Sequence, residues 1–137
     1  MTTVTVDSLN HFLGEAFPQT RCRVESLDTM SATIRHPIGP AELRPGGTVS
    51  GPTLMAAADL ALYAAVLGEI GLQPLAVTTN LNIHFLRKPA ADRDIIARCE
   101  LLKCGRTLAI GNVLLYSEGM EAPVAQASGT YAIPPKR

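Results

Sequence analysis

Between Thr53 and Leu67 the chain is apolar at almost every position, with one carboxylate, Asp59, in the middle. "GGTVSGP" (46–52) leads into this run and "GLQPL" (71–75) ends it, with Gly71 and Pro74 as breakers. The pattern predicts a central helix over about 51–68 that is apolar nearly all round, which only burial can stabilise. Upstream, "VDSLNHFLGEAF" (6–17) sets Val6, Leu9, Phe12 and Leu13 at a helical period, with Asp7 or Ser8 as caps. "RCRVESLD" and "SATIRHPI" read as two short strands, about 21–36, around a polar turn at 28–30. "GPAELRPGG" reads as a loop whose Gly and Pro residues interrupt any ladder. Downstream, "AVTTNLNIHFL" (76–86), "DIIARCELLKC" (94–104), "TLAIGNVLLYS" (107–117) and "APVAQASGTYAI" (122–133) read as strands. Short polar separators between them suggest an antiparallel meander.

A helix this apolar needs a wrapper, and five or six antiparallel strands curled about it supply one. The expected architecture is therefore α+β, a single domain over 1–137 with strands about 21–36 and 76–133. A sheet of this kind leaves edge strands that favour pairing with a second copy, so a homodimer or dimer of dimers is expected.

Charge narrows the function classes. Twelve Lys and Arg balance twelve Asp and Glu, and no stretch gathers like charges, so neither nucleic acid nor a membrane surface is an expected partner. The apolar run has about fifteen residues, short of the roughly twenty that span a bilayer. Cys22, Cys99 and Cys104 are odd in number and lack metal or redox spacing, and the N-terminus has no signal-peptide pattern; reduced thiols in a cytoplasmic protein follow. His11, His36 and His84 have no partners at ligand spacing, so no metal is expected. No phosphate-cradling or dinucleotide glycine motif occurs.

Two features of the helix carry candidate chemistry. A carboxylate in a core helix shifts its pKa, finds hydrogen bonds, or is kept because a reaction uses it. A neighbouring hydroxyl such as Tyr63, one turn on, offers a purely structural partner for Asp59. At the helix start Ser50 is a good N-cap, Pro52 sits in the first turn without losing a hydrogen bond, and the N–H of Gly51 is open to an oxyanion. Eight residues separate Gly51 from Asp59, about 12 Å along a helix. Both could act on one carbonyl only if two helices lay antiparallel, with Asp59 of one chain near Gly51 of another.

"GGTVSGPTLMAAAD", "TTNLNIHFLRKPA", "CGRT" and "AQASGTYAIP" together resemble the hotdog-fold acyl-CoA thioesterases of the phenylacetate-degradation (PaaI-like) group, over roughly residues 40–133. The resemblance implies a curled antiparallel sheet around one long helix and hydrolysis of acyl-CoA to acid and CoA, with CoA part of the substrate and no separate cofactor. It assigns Asp59 as general base or nucleophile, Gly51 N–H as oxyanion donor, and Thr78 as the hydroxyl that orients the carboxylate or water. In the group a His stands nine residues before the Asp, followed by two glycines, with an Asn six residues before the His. Here Ser50, Pro52 and Arg44 occupy the His, second Gly and Asn positions, which makes Ser50 a catalytic candidate and Pro52 and Arg44 substrate-binding ones, Arg44 as a partner for a substrate carboxylate or for Asp59 itself; Lys88 interrupts the usual Phe-Leu-Arg-Pro run. Asn82 and the basic residues Arg87, Lys88, Arg93 and Arg106, at strand ends, are candidates for holding substrate, the latter four its CoA phosphates. Aromatic content of 4% leaves no evident ring-stacking box for the acyl group. A non-catalytic acyl-CoA-binding protein and a structural, partner-binding hotdog protein remain alternatives, with a dehydratase as a lesser variant.

Overall fold

The computed structural model describes residues 3–135, so residues 1, 2, 136 and 137 of the expected domain lie outside the described residues. Helix α1, Val6–Ala16, is capped by Thr5 rather than Asp7 or Ser8: the Thr5 hydroxyl accepts from Ser8 N–H at 3.0 Å, and Ser8 Oγ accepts from Thr5 N–H at 2.9 Å. That reciprocal pair satisfies two amides that would otherwise lack partners. Leu9 and Leu13 are buried, and Asn10 clips α1 to the next strand through both N–H and C=O of Val24.

Strands β1 (Arg23–Asp28) and β2 (Ser31–His36) form the expected hairpin. The stretch read as a plain loop contains a 3-10 turn, Pro40–Glu42, and a small hairpin of β3 (Leu43–Arg44) and β4 (Thr48–Val49). Gly46 and Gly47, at φ 98° and 77°, make its turn, a backbone that other residues adopt at a cost. The glycines that argued against a ladder are what allow this one.

Helix α2, Gly51–Ile70, is 20 residues long and stops at Gly71 (φ 97°), two residues later than expected. It is long and apolar enough to cross a membrane, beyond the length read from the sequence, and ten of its residues are buried within the fold. Its burial is not all round: Pro52, Met55 and Ala56 are exposed, and Asp59 and Leu60 are half-buried, one open face in this chain.

The remaining strands are β5 (Val77–Phe85), β6 (Ile95–Cys104), β7 (Leu108–Ser117) and β8 (Ala125–Ala132). All pairings are antiparallel and the sheet order is β1-β2-β6-β7-β8-β5. The meander therefore holds for β6, β7 and β8 only; β5 crosses over to pair with β8 at the far edge. The segment 86–94 between β5 and β6 is thus a crossover, not a turn. Six strands curled about one long helix make this the hotdog fold, α+β as expected.

Helix and sheet approach tightly where Gly111 pairs with Gly129 beneath Leu62. A Cβ on Gly129 would stand 2.4 Å from Leu62 Cδ1 and 3.2 Å from the Asn80 carbonyl oxygen; on Gly111 it would stand 2.7 Å from Leu62 Cδ2. Alanine at a strand glycine ordinarily gains from a less flexible unfolded chain, so the sign is diagnostic. Gly129→Ala is expected to destabilise by about 1–3 kcal/mol through overpacking, read from urea unfolding, and a neutral or stabilising result would contradict this packing.

Candidate active site

Asp59 lies on α2 where Thr78 of β5 and Tyr131 of β8 come within reach. The Thr78 hydroxyl donates to Asp59 Oδ1 at 2.5 Å and the Tyr131 phenol donates to the same oxygen at 2.7 Å. Strand register explains the meeting, because Thr78 and Tyr131 are paired across β5 and β8 and so share the face toward the helix. Tyr63, the structural partner that sequence spacing suggested, points elsewhere: its hydroxyl donates to the Pro74 carbonyl at 3.4 Å. Tyr131 is the residue that sequence reading missed. It lies in the stretch 122–133 read only as the last strand, and nothing local ties it to Asp59.

A cavity of about 630 Å³ opens beside these groups, with Asp59, Thr78 and Tyr131 in its wall. Phe17 and Tyr63 also line it, their rings edge to face at 5.6 Å, and Tyr63 lies 5.9 Å from Tyr131. Three of the chain's six Phe and Tyr residues therefore meet here, where low aromatic content suggested no such cluster. Burial, and then the negative charge of Asp59, push the Tyr131 phenol well above its ordinary pKa, so it stays a proton donor. Burial alone raises the Tyr63 phenol.

At the other end of the open helix face, Gly51 is the first helical residue and the aromatic ring of Phe85 covers it, 3.3 Å from where a Cβ would stand. Helix α2 and strand β5 run side by side in opposite directions, so Gly51 meets Phe85 at one end while Asp59 meets Thr78 at the other. The eight-residue separation stands at about 12 Å, and the two groups do not share a carbonyl within one chain. Ser50 is the N-cap as expected: its Oγ accepts from Thr53 N–H at 3.3 Å and lies 2.8 Å from the Thr53 hydroxyl. That oxygen is committed to the helix start.

The other candidates divide. Arg44, on β3, is exposed, and among the described residues no ion pair joins it to Asp59. Pro52 is exposed in the first turn of α2. Asn82 does not join the site. Strict alternation would put it on the face of Thr78, but the ladder of β5 slips between Thr78 and Asn80, and Asn82 pairs with Ser128 on the outer face of the sheet. His84 lies on that outer face too, 3.3 Å from Gln126 Oε1.

Arg87, Lys88 and Arg93 are exposed in the crossover after β5, at the end that holds Gly51. Arg87 donates to the Pro123 carbonyl and Arg93 to the Glu118 carbonyl at 2.9 Å, which leaves each guanidinium further donors. Arg106 is not part of this group: it sits in the β6–β7 turn, at the opposite end of the sheet. A turn position shows that a residue lies at a strand end, not which end. Among the described residues no cluster of His, Cys, Asp and Glu could hold a metal ion.

The thioesterase superfamily model matches residues 46–124, which include Gly51, Asp59 and Thr78 but not Tyr131. No curated protein matches the chain. Among solved structures, a candidate thioesterase from a Silicibacter species is 47% identical over 98% of this chain and 95% of its own, with a TM-score of 0.90. A point mutant of the phenylacetic acid degradation protein PaaI from Thermus thermophilus is 26% identical over 82% of this chain and 93% of its own, TM-score 0.72. Zebrafish thioesterase superfamily member 2 shares the fold at TM-score 0.83, with 21% identity over 96% of this chain and 100% of its own. With the superfamily model covering more than half of the sequence, and a relative near half identical along almost all of it, the chain belongs to the thioesterase superfamily, as a hotdog-fold thioester hydrolase.

Proposed function

We propose that this protein hydrolyses acyl-CoA thioesters at sites shared between two copies of the chain. The observation that carries the reading is the half-buried carboxylate of Asp59, held by two hydroxyls beside a cavity of about 630 Å³ and out of reach of Gly51 in its own chain. A two-fold axis beside α2 and β5 would bring Gly51 of a second copy to Asp59. The open helix face and the half-exposed apolar residues Met55, Val77 and Phe85 along it support burial of this side in a dimer.

In the proposed reaction the acyl group enters the cavity and the thioester oxygen accepts from the Gly51 N–H of the second copy, worth about 3 kcal/mol in the transition state. Asp59 takes the proton of an attacking water, or attacks the carbonyl carbon itself. When water attacks, the carbon–sulfur bond then breaks and the proton passes to the CoA sulfur; when Asp59 attacks, CoA leaves as the thiolate, and water then splits the acyl–Asp59 anhydride, giving the free acid, a proton for the sulfur and the restored carboxylate. Arg87, Lys88 and Arg93 dock the CoA phosphates at the Gly51 end, while Ser50 acts only by capping the helix that aims the N–H. A cytoplasmic location belongs to the same reading, with its thiols reduced.

The test is release of free CoA thiol from short, long and aromatic acyl-CoAs. Background is small from Cys99, 1% exposed and with its thiol pushed up to about 12 by burial, and Cys22 and Cys104 are raised by burial as well. Esters whose acyl group fills the cavity are expected to turn over fastest. A binding protein without turnover is the second reading, favoured by the commitment of Ser50 Oγ to the helix cap where the related enzymes carry a His. A thermal shift with CoA esters but no thiol release from any of them would select it.

A further inference from the structure

The proposed hydrolysis needs one oxygen of Asp59 free to react and the carboxylate fixed so that this oxygen faces the ester. Thr78 lies exposed on the edge strand β5 of the single chain, so what holds it there is the second copy proposed to cover that side. Tyr131 differs in every respect that bears on anchoring. It lies on β8 between β7 and β5, is 3% exposed, and is backed by the Tyr63 ring, itself set edge to face against Phe17. Its hydroxyl stands 2.7 Å from Asp59 Oδ1 and 3.1 Å from the Asp59 backbone carbonyl. One phenolic proton serves two acceptors, and the charged carboxylate is the stronger. The ring thus locates the residue's side chain and its backbone at once.

We propose that Tyr131 is a positioning residue: with Thr78 it commits Asp59 Oδ1 to the scaffold, so that Oδ2 is the oxygen that takes the water proton or attacks the thioester carbon. The inference rests on the role proposed for Asp59. Both hydroxyls fall on Oδ1, and among the described residues Oδ2 accepts no hydrogen bond. A carboxylate that served structure alone would gain by sharing its donors between both oxygens. Here one side is saturated and the other left for chemistry. The raised phenol keeps its proton throughout the neutral range, so the anchor does not titrate away.

Tyr131→Phe keeps the ring and removes only the donor. It is expected to lower kcat by up to about a hundredfold, because a displaced carboxylate reacts poorly, with KM within about twofold. Tyr116→Phe, whose ring packs against Arg98 on the outer face of the sheet, is the control and should match wild type. Crystal structures of wild type and Tyr131→Phe give a readout independent of turnover: the Asp59 carboxylate is expected to swing from its wild-type position. An unmoved carboxylate overturns the proposal whatever the kinetics. So does a Tyr131→Phe enzyme that melts earlier but keeps its kcat, an outcome that leaves the thioesterase reading standing if Asp59→Asn has lost turnover. Full turnover by Asp59→Asn would remove both.

Discussion

Asp59→Asn is expected to lower kcat for acyl-CoA hydrolysis by about 10²–10⁴-fold, the range for loss of a group that moves the reacting proton, with KM little changed. The amide keeps an oxygen that can occupy the place of Oδ1, so the hydroxyls of Thr78 and Tyr131 retain their acceptor. Its nitrogen takes the place of Oδ2, which has neither the charge to accept a proton nor the electrons to attack carbon. Loss of rate should therefore come without loss of fold, and the melting temperature measured beside thiol release checks this. An Asn variant that turns over at the wild-type rate would exclude Asp59 from the chemistry.

How far the fold was legible follows from the range of the interactions that make each element. Helix α2 and the strands could be read because periodicity and breakers are local: Gly71 stops the helix, and the short separators "GR" (105–106) and "EGME" (118–121) bound β7. The helix runs past its expected end through Glu69 and Ile70, up to the breaker Gly71 itself. The place of β5 beside β8 could not be read, since a strand's partner is chosen by packing over the whole sheet and not by its own residues. Nor could the slip between Thr78 and Asn80, which moved Asn82 from the side of Asp59 to the outer face.

The site shows the same division. Asp59 stood out as a charge in an apolar run, and Gly51 and Ser50 as a helix start, all short-range signals. Tyr131 lies 72 residues from Asp59, and only the pairing of Thr78 with Tyr131 across two strands reveals it. Phe17 and Tyr63 likewise join the cavity wall from separate elements. Sequence distance hid Tyr131, whereas Thr78, which the resemblance named as the orienting hydroxyl, does donate to Asp59.

Gly51→Pro is expected to lower kcat by about 10²–10³-fold, the usual cost of one oxyanion donor, because it deletes the N–H. Proline is well placed at the first position of a helix, and Ser50 already holds the extended backbone that a following proline requires, φ −72° and ψ 152°. Gly51→Ala separates donor loss from crowding: its Cβ would meet the Phe85 ring at 3.3 Å while the N–H remains, so its kcat should stay within about tenfold of wild type. Equal loss in both variants would assign the effect to crowding. Co-expression of Gly51→Pro with Asp59→Asn then tests whether the site is shared. If each site takes Asp59 from one subunit and Gly51 from the other, a mixed dimer holds one doubly damaged site and one intact site. Random pairing makes half of the dimers mixed, so activity should return to about a quarter of wild type. If both groups served one carbonyl within a chain, no intact site could form and activity would stay at the level of the separate variants.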